Sequence, residues 1–348
     1  MRNMMKKTQL GLLLGLLACV LSPALSNAAE TVYNLRADVT TVTMPDGEVV
    51  TMWGFAQDSA FGVEDGTVTV PGPKLTVPPG DTLKVVLKNN LTPARTGLAI
   101  GCTLCIIIPG QPATMTPVRF GPAPYPQFEG RIRSLTYETL PGNTEPVEYV
   151  WNNIKPGTYL YHSGTHMQCH VQMGLYGAVT QDAVPGEAYP GMAYDKEVLL
   201  LYSEIDPAFH QAVATANYGP GKEMSSTINY QPRYFLINGQ PFTDPNAAFP
   251  EVNPGDRVLV RFLNAGLQTR VPMVDRPYFR LLAEDGNPRK YTPEQYSILL
   301  PAGKTIDAML APDATGKLAI YDRTLHLTNG AASPGGMLTY IQVAAAAK

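Results

Sequence analysis

An internal repeat constrains the fold of this chain more than any other feature of its sequence. The segment Val77–Asn89, Val-Pro-Pro-Gly-Asp-Thr-Leu-Lys-Val-Val-Leu-Lys-Asn, is matched by Val252–Asn264, Val-Asn-Pro-Gly-Asp-Arg-Val-Leu-Val-Arg-Phe-Leu-Asn. In each copy a Pro-Gly-Asp turn leads into alternating apolar and polar residues, the pattern of a half-buried β-strand. The repeat therefore predicts two copies of one β-structure.

The composition extends this prediction to the whole chain. Residues 156–162 are echoed at 315–321, and short Val, Leu, Thr and Tyr runs are separated by Pro-Gly, Asn-Gly and Asp-Gly turns in a chain with 32 Pro and 31 Gly. Only segments near Pro207–Thr215 and Pro293–Tyr296 look helical. The pattern predicts an all-β protein built from sandwiches.

The length agrees with two domains, because about 320 residues exceed a single ordinary core. We place a signal peptide at residues 1–28, a first domain at 29–182 and a second at 183–348. The join falls near Val184–Met192, where Pro and Gly cluster.

The N-terminus predicts export to the periplasm or the exterior. Arg2, Lys6 and Lys7 precede an apolar run at Leu10–Leu21, and Ser26-Asn-Ala28 offers a cleavage site made of small residues. These are the features of a secretory signal peptide, with an apolar run too short for a stable transmembrane helix.

A lipoprotein box at Leu16-Leu-Ala-Cys19 is the alternative, with a lipid attached to Cys19. No later run of 18 apolar residues predicts a transmembrane segment in the mature chain. Removal of residues 1–28 leaves 23 basic against 29 acidic side chains with no basic block, which argues against nucleic acid as a partner.

One short segment concentrates side chains that bind metals. His162, His166, Cys169, His170 and Met173 fall within twelve residues, in a chain with only five histidines and four cysteines. Imidazole, thiolate and thioether together are the donor set that suits copper. We expect His162 on a strand, and His166, Cys169, His170 and Met173 in the loop and strand that follow it. The alternative is that these are polar loop residues together with a core methionine.

The frame around this cluster carries a family resemblance. Gly157-Thr-Tyr-Leu-Tyr-His162 and Met173-Gly-Leu-Tyr-Gly-Ala-Val179 resemble the first cupredoxin (plastocyanin-like) domain of multicopper oxidases and two-domain copper nitrite reductases. The second half, with Phe235–Gly239 and Leu282–Gly286, looks like the middle oxidase domain. The resemblance implies two Greek-key sandwiches, bound copper, oxidoreductase chemistry and a homotrimer.

Several family motifs are altered in this chain. The oxidases carry Thr-Ser-x-His-x-His-Gly where this chain has Thr96–Gly110 without histidine, and His162-Ser-Gly164 keeps only the first residue of a His-x-His motif. Nitrite reductases place a Cys where Ser163 stands, whereas His170 and Met173 lie near the second His and the Met of their mononuclear site. The resemblance stops before a third, copper-bearing domain. We therefore expect no trinuclear oxygen-reducing cluster.

Cys102-Thr-Leu-Cys105 leaves three interpretations open. In an exported chain the pair forms a local disulfide, provides two soft copper ligands, or stays as buried thiols. Alternation along a strand puts the two residues on opposite faces, so a disulfide needs a turn or bulge. Cys169 is then left as a candidate metal thiolate.

Two functional hypotheses follow from these observations. The first is an exported copper-binding protein with a copper-dependent redox or copper-handling role, served by an electron-transfer or copper-delivery partner. The second is a metal-free cupredoxin scaffold that acts as a structural or interaction protein, because fold alone does not decide function. In the first case retained copper should depend on residues 162–173, and loss of His162 and His166 together should lower it.

Overall fold

The computed structural model describes residues 29–111, 116–123, 126–242 and 249–344. The predicted signal peptide and the alternative lipidation site at Cys19 lie outside the described residues. Within them, no helix is long and apolar enough to cross a membrane.

The N-terminal half consists of ten strands, two short helices and one 3₁₀ turn at Pro126–Phe128. Its elements are β1 Glu30–Thr43, β2 Val49–Asp58, β3 Leu75–Val77, β4 Thr82–Asn89, α1 Pro93–Thr96, β5 Ile106–Ile107, β6 Val118–Arg119, β7 Ile132–Ser134, β8 Val147–Trp151, β9 Gly157–Ser163, α2 Met167–Met173 and β10 Tyr176–Gln181.

The C-terminal half is again mostly strands. Its elements are β11 Glu187–Tyr189, β12 Met192–Ala193, β13 Lys196–Ile205, α3 Pro207–Ala214, β14 Tyr234–Ile237, β15 Val258–Asn264, β16 Pro272–Met273, β17 Phe279–Glu284, β18 Asn287–Pro288, β19 Glu294–Gln295, β20 Thr305–Leu310, β21 Gly316–Asp322 and β22 Leu338–Val343.

Each half forms a β-sandwich. In the first sandwich a sheet ordered β2-β1-β4-β8 faces a sheet ordered β3-β10-β9-β5. In the second, a sheet ordered β14-β13-β15-β20-β17-β18, with β19 on β17, faces β16-β21-β22. The all-β prediction of two sandwiches is confirmed.

The internal repeat has the same structure in both copies. β4 pairs in parallel with β1, and β15 pairs in parallel with β13. The Asn at the end of each repeat also has the same role: Asn89 Oδ1 accepts from Leu91 N at 3.0 Å, and Asn264 Oδ1 accepts from Gly266 N at 2.9 Å. The repeated Asn therefore turns the chain out of the sheet at the same point of both sandwiches.

Apolar side chains fill each sandwich and the space between the two sandwiches. One buried apolar cluster joins residues of both halves, among them Met44, Met52, Leu160, Leu201, Leu236 and Leu263. The helix predicted near Pro207–Thr215 is confirmed as α3. The one predicted near Pro293–Tyr296 is wrong, because Glu294 and Gln295 pair with β17 as a strand.

Candidate functional site

Helix α2 arranges the candidate ligands on one of its faces. His166 caps the helix, and His166, Cys169, His170 and Met173 follow at spacings of three and four residues. On an α-helix such residues are neighbours on a single face. Cys169, His170 and Met173 are buried, whereas His166 is exposed.

The loop predicted for this segment is therefore wrong, and the packing of its C-terminal end explains the helix. Gly174 ends α2 with a left-handed φ of 118°, and its N–H donates to the carbonyls of His170 and Val171. A Cβ at Gly174 would lie 2.2 Å from the Trp53 carbonyl oxygen. Only glycine lets the end of the helix approach β2 this closely.

The rings of His166 and His170 are in contact with each other. Their ring centroids lie 5.9 Å apart, at an interplanar angle of 65°. His166 also packs at 5.9 Å against Phe120, and His170 at 5.6 Å against the edge of Trp53. The backbone of His166 is left-handed, with φ 41° and ψ 49°, a conformation that costs energy in a residue with a Cβ and concentrates at functional sites.

Both imidazoles are biased toward the neutral form. Burial, together with the neighbouring His166, lowers the pKa of His170 to about 3. Packing of its ring also lowers the pKa of His166, with Glu138 and Arg133 acting in opposite directions. A neutral imidazole offers a lone pair to a metal ion, so neither ring must lose a proton first.

Ser163, on β9, is the hydrogen-bond partner of the His170 ring. Its Oγ lies 2.9 Å from His170 Nδ1 and donates to the Thr165 carbonyl at 3.2 Å. Because the single hydroxyl hydrogen is used there, we assign the imidazole hydrogen to Nδ1, donating to Oγ, and the lone pair to Nε2.

His162 lies apart from this pair. It is half-buried on β9, and its Nδ1 donates to the Ser163 carbonyl at 3.0 Å. Burial lowers its pKa. In the part of the chain that the structure describes, the His162 ring does not contact the ring of His166 or that of His170. His162 therefore stays a predicted copper ligand outside the His166–His170 contact.

The thiols and thioether are less suited as donors. Met173 is fully buried, and burial raises the pKa of the Cys169 thiol far above its usual range. A thiol binds metal as the thiolate, so this burial opposes binding. Cys169 and Met173 remain candidate ligands by prediction, behind the two imidazoles.

Cys102 and Cys105 are free thiols in the structure, so the disulfide alternative is not formed. Cys105 Sγ lies 3.2 Å from Ser134 Oγ, while the half-buried Cys102 packs at the edge of the first core. Leu104 pairs with Thr139 between them, which keeps this stretch extended and directs the two thiols to opposite sides. Burial raises the pKa of Cys102 to about 12.

A buried network of hydroxyl groups lies beside α2. Thr165 Oγ1 donates to Ser134 Oγ at 2.9 Å, Ser134 donates to the Thr136 carbonyl at 2.8 Å, and Ser163 joins His170 to the same region. These hydroxyl groups satisfy one another, as buried polar groups must. Through Ser163, the His170 ring is hydrogen-bonded to this network.

Gly164 gives a test of the family's copper plan. In the oxidases the second histidine of the His-x-His motif would occupy this position. A Cβ at Gly164 would lie 2.9 Å from both Cys105 Sγ and Ile107 Cγ2, so the volume for that side chain is filled. The residues present do not fit a trinuclear copper cluster.

Across the described parts of the chain, no group of three or more His, Cys, Asp or Glu side chains converges in a way that could hold a metal ion. The imidazole pair on α2 is the remaining arrangement. Sequence reasoning missed Trp53 and Phe120, which support the two rings, since neither lies near the motif in the chain. Ser163 was noted only as a lost cysteine.

Comparisons with known proteins agree with the fold. No family model matches the chain, and no curated protein matches it. Blue copper oxidase from Nitrosomonas europaea superposes with a TM-score of 0.67 at 19% identity, covering 90% of this chain and 86% of its own. Copper nitrite reductase from Nitrosomonas europaea gives 0.63 at 22% identity, covering 92% and 95%.

A copper-containing nitrite reductase from Thermus scotoductus gives a TM-score of 0.59 at 20% identity, covering 92% of this chain and 63% of its own. These identities establish a shared fold and leave activity to be argued from the site. The chain has the two-domain cupredoxin architecture of multicopper oxidases and copper nitrite reductases.

Proposed function

We propose that this protein binds one copper ion as cargo between His166 and His170, and handles copper without reducing oxygen or nitrite. The observation that carries the proposal is the 5.9 Å separation of the two rings on one face of α2. Imidazole is a copper ligand, and Cu(I) is stable with two nitrogen donors.

The separation is within reach of a shared ion. With metal–nitrogen bonds of about 2.0 Å and about 1.1 Å from each nitrogen to its ring centre, two imidazoles on one ion have centroids at most about 6.2 Å apart. His166 is exposed, which gives the ion a route into the site, and His170 is buried. A site with one exposed and one buried ligand suits loading and release.

The same region argues against an oxygen-reducing enzyme. Cys105 and Ile107 fill the space beside Gly164, and a hydroxyl group stands at Ser163 where a thiolate would transfer electrons. Both features follow from side chains that are present, and both remove donors that multi-electron copper chemistry needs.

Titration of the mature protein with Cu(I), against a chromophoric Cu(I) chelator under anaerobic conditions, tests the proposal. We expect one ion per chain, and at least tenfold weaker binding for His166→Ala and for His170→Ala. Gln168→Ala, on the exposed side of α2, is the matched control and should bind as the wild type does. Equal affinity for all four proteins would refute the site.

A metal-free scaffold is the second candidate, favoured by the buried hydroxyl network through Ser134, Ser163 and Thr165. In this case the sandwiches would serve as a structural or interaction module. Protein purified without copper from copper-replete cells, together with no Cu(I) binding in the titration, would favour this candidate over the first.

Export, trimer formation and a copper-delivery partner complete the proposal. The N-terminal sequence supports export, and N-terminal sequencing of the mature protein from the periplasm would locate cleavage after Ala28 or before Cys19. The homotrimer expected from the resemblance is checked by light scattering, where a monomer mass would count against it.

A further inference from the structure

We propose that Ser163 is a positioning residue for copper binding: its hydroxyl group holds the imidazole hydrogen of His170 on Nδ1 and keeps the Nε2 lone pair for the metal. This inference rests on the proposed function. It assigns a role to the residue that stands in place of a metal-ligating cysteine in the resembling nitrite reductases.

Three buried hydrogen-bond partners surround the Ser163 hydroxyl group, and the inference assigns its hydrogen to the Thr165 carbonyl. The residue is fully buried on β9, its Oγ donates to the Thr165 carbonyl at 3.2 Å, and it also lies 3.3 Å from the Thr165 N–H. With the hydroxyl hydrogen assigned to the Thr165 carbonyl, the remaining partner, His170 Nδ1 at 2.9 Å, donates to Oγ.

The Thr165 carbonyl is itself held in place. Thr165 Oγ1 donates to Ser134 Oγ, and Ser134 donates to the Thr136 carbonyl, all within the buried interior. The chain Thr136–Ser134–Thr165–Ser163–His170 is therefore a rigid support running from the β7 end of the sandwich to α2. A supported hydroxyl group fixes the ring better than one that is free to rotate.

The other contacts of His170 do not select a nitrogen. Trp53 and His166 meet the ring as aromatic neighbours, at centroid distances of 5.6 Å and 5.9 Å. Without the Ser163 hydroxyl, the hydrogen would distribute between the two nitrogens, and part of the protein would present N–H to the metal. Loss of such an outer partner typically costs about 10- to 100-fold in metal affinity.

The first test uses the protein without copper. Long-range ¹H–¹⁵N spectra of ¹⁵N-histidine-labelled protein report which nitrogen of His170 carries hydrogen. We expect Nδ1–H in the wild type and in Gln168→Ala, a control on the exposed side of α2 that leaves the hydroxyl network intact. Ser163→Ala should show a mixture, and Ser163→Thr should restore Nδ1–H.

The second test measures Cu(I) affinity by chelator competition for the same proteins. Ser163→Ala should bind about 10- to 100-fold more weakly, and Ser163→Thr close to the wild type. An Nε2–H ring in the wild type, or unchanged affinity with an altered tautomer, would overturn the inference. If the tautomer shifts as expected but no protein binds copper, the proposed function fails and this role fails with it. If copper binds and the tautomer of His170 is unaffected, only this inference fails.

Discussion

Replacing Arg261 with Leu should separate the unfolding of the two sandwiches. Arg261 is fully buried on β15, and its guanidinium donates to Glu197 at 2.8 Å, to Asp182 at 2.6 Å and to Thr158 at 3.0 Å. Asp307 lies 3.9 Å away. Two of these partners, Thr158 and Asp182, belong to the end of the first sandwich, so one side chain ties both halves together.

The magnitude follows from what the substitution leaves behind. Removing one partner of a buried ion pair costs about 3–5 kcal/mol, because the remaining charge is buried without compensation. The Asp182 and Glu197 side chains are 17% and 22% exposed, so water can reach them and the lower end applies. Burial already raises the pKa of Asp307, so this carboxyl group can take up a proton in the variant.

Urea unfolding followed by two signals tests this expectation. Trp53 and Trp151 both lie in the first sandwich, so tryptophan fluorescence reports that half, whereas far-UV circular dichroism reports both. A loss of about 3 kcal/mol with a slope of about 3 kcal/mol per M lowers the midpoint by roughly 1 M. The two signals should diverge in Arg261→Leu.

Arg257→Leu is the matched control. Arg257 precedes the same strand and pairs with Asp195 on the surface, where ion pairs contribute little. Its midpoint should stay close to that of the wild type. If the unfolding curves of Arg261→Leu coincide with those of Arg257→Leu in both signals, the reasoning that a buried guanidinium couples the two sandwiches is refuted.

Three further substitutions test the interior. Burial lowers the pKa of His210 to about 4, below the value of about 6.5 expected in the unfolded chain. Between these pH values the unfolded state binds more protons than the folded state. The free energy of unfolding therefore falls as the pH drops from about 6.5 to 4. His210→Gln should flatten that part of the stability profile in urea unfolding at a series of pH values; an unchanged slope would exclude His210 as the cause. Gly164→Ala should lower stability by about 1–3 kcal/mol through overpacking, and Cys105→Ala should recover part of the loss; a neutral Gly164→Ala would show that the space beside it can adjust.

The sequence predicted the architecture because its strongest signals are local. The Pro-Gly-Asp turns and the alternation in Val77–Asn89 and Val252–Asn264 define strands whatever surrounds them, and the terminal Asn makes the same hydrogen bond in both copies. The segment Pro293–Tyr296 was misread because its strand depends on pairing with β17, a contact that local propensity does not contain.

The site was predicted as a set of residues but not as an arrangement. Helix α2 has only seven residues, too few to be stable on its own, so its formation depends on tertiary packing such as that of Gly174 against β2. Once the helix is present, His166 and His170 become neighbours and Ser163 reaches across from β9.

X-ray absorption at the copper edge of the Cu(I)-loaded protein tests the central claim most directly. The account predicts one copper with two imidazole nitrogens in its shell and no copper–copper distance, and loss of this signal in His166→Ala. A shell dominated by sulfur would move the site to the cysteines and Met173. A copper–copper distance, or histidine coordination unchanged in His166→Ala, would contradict the account.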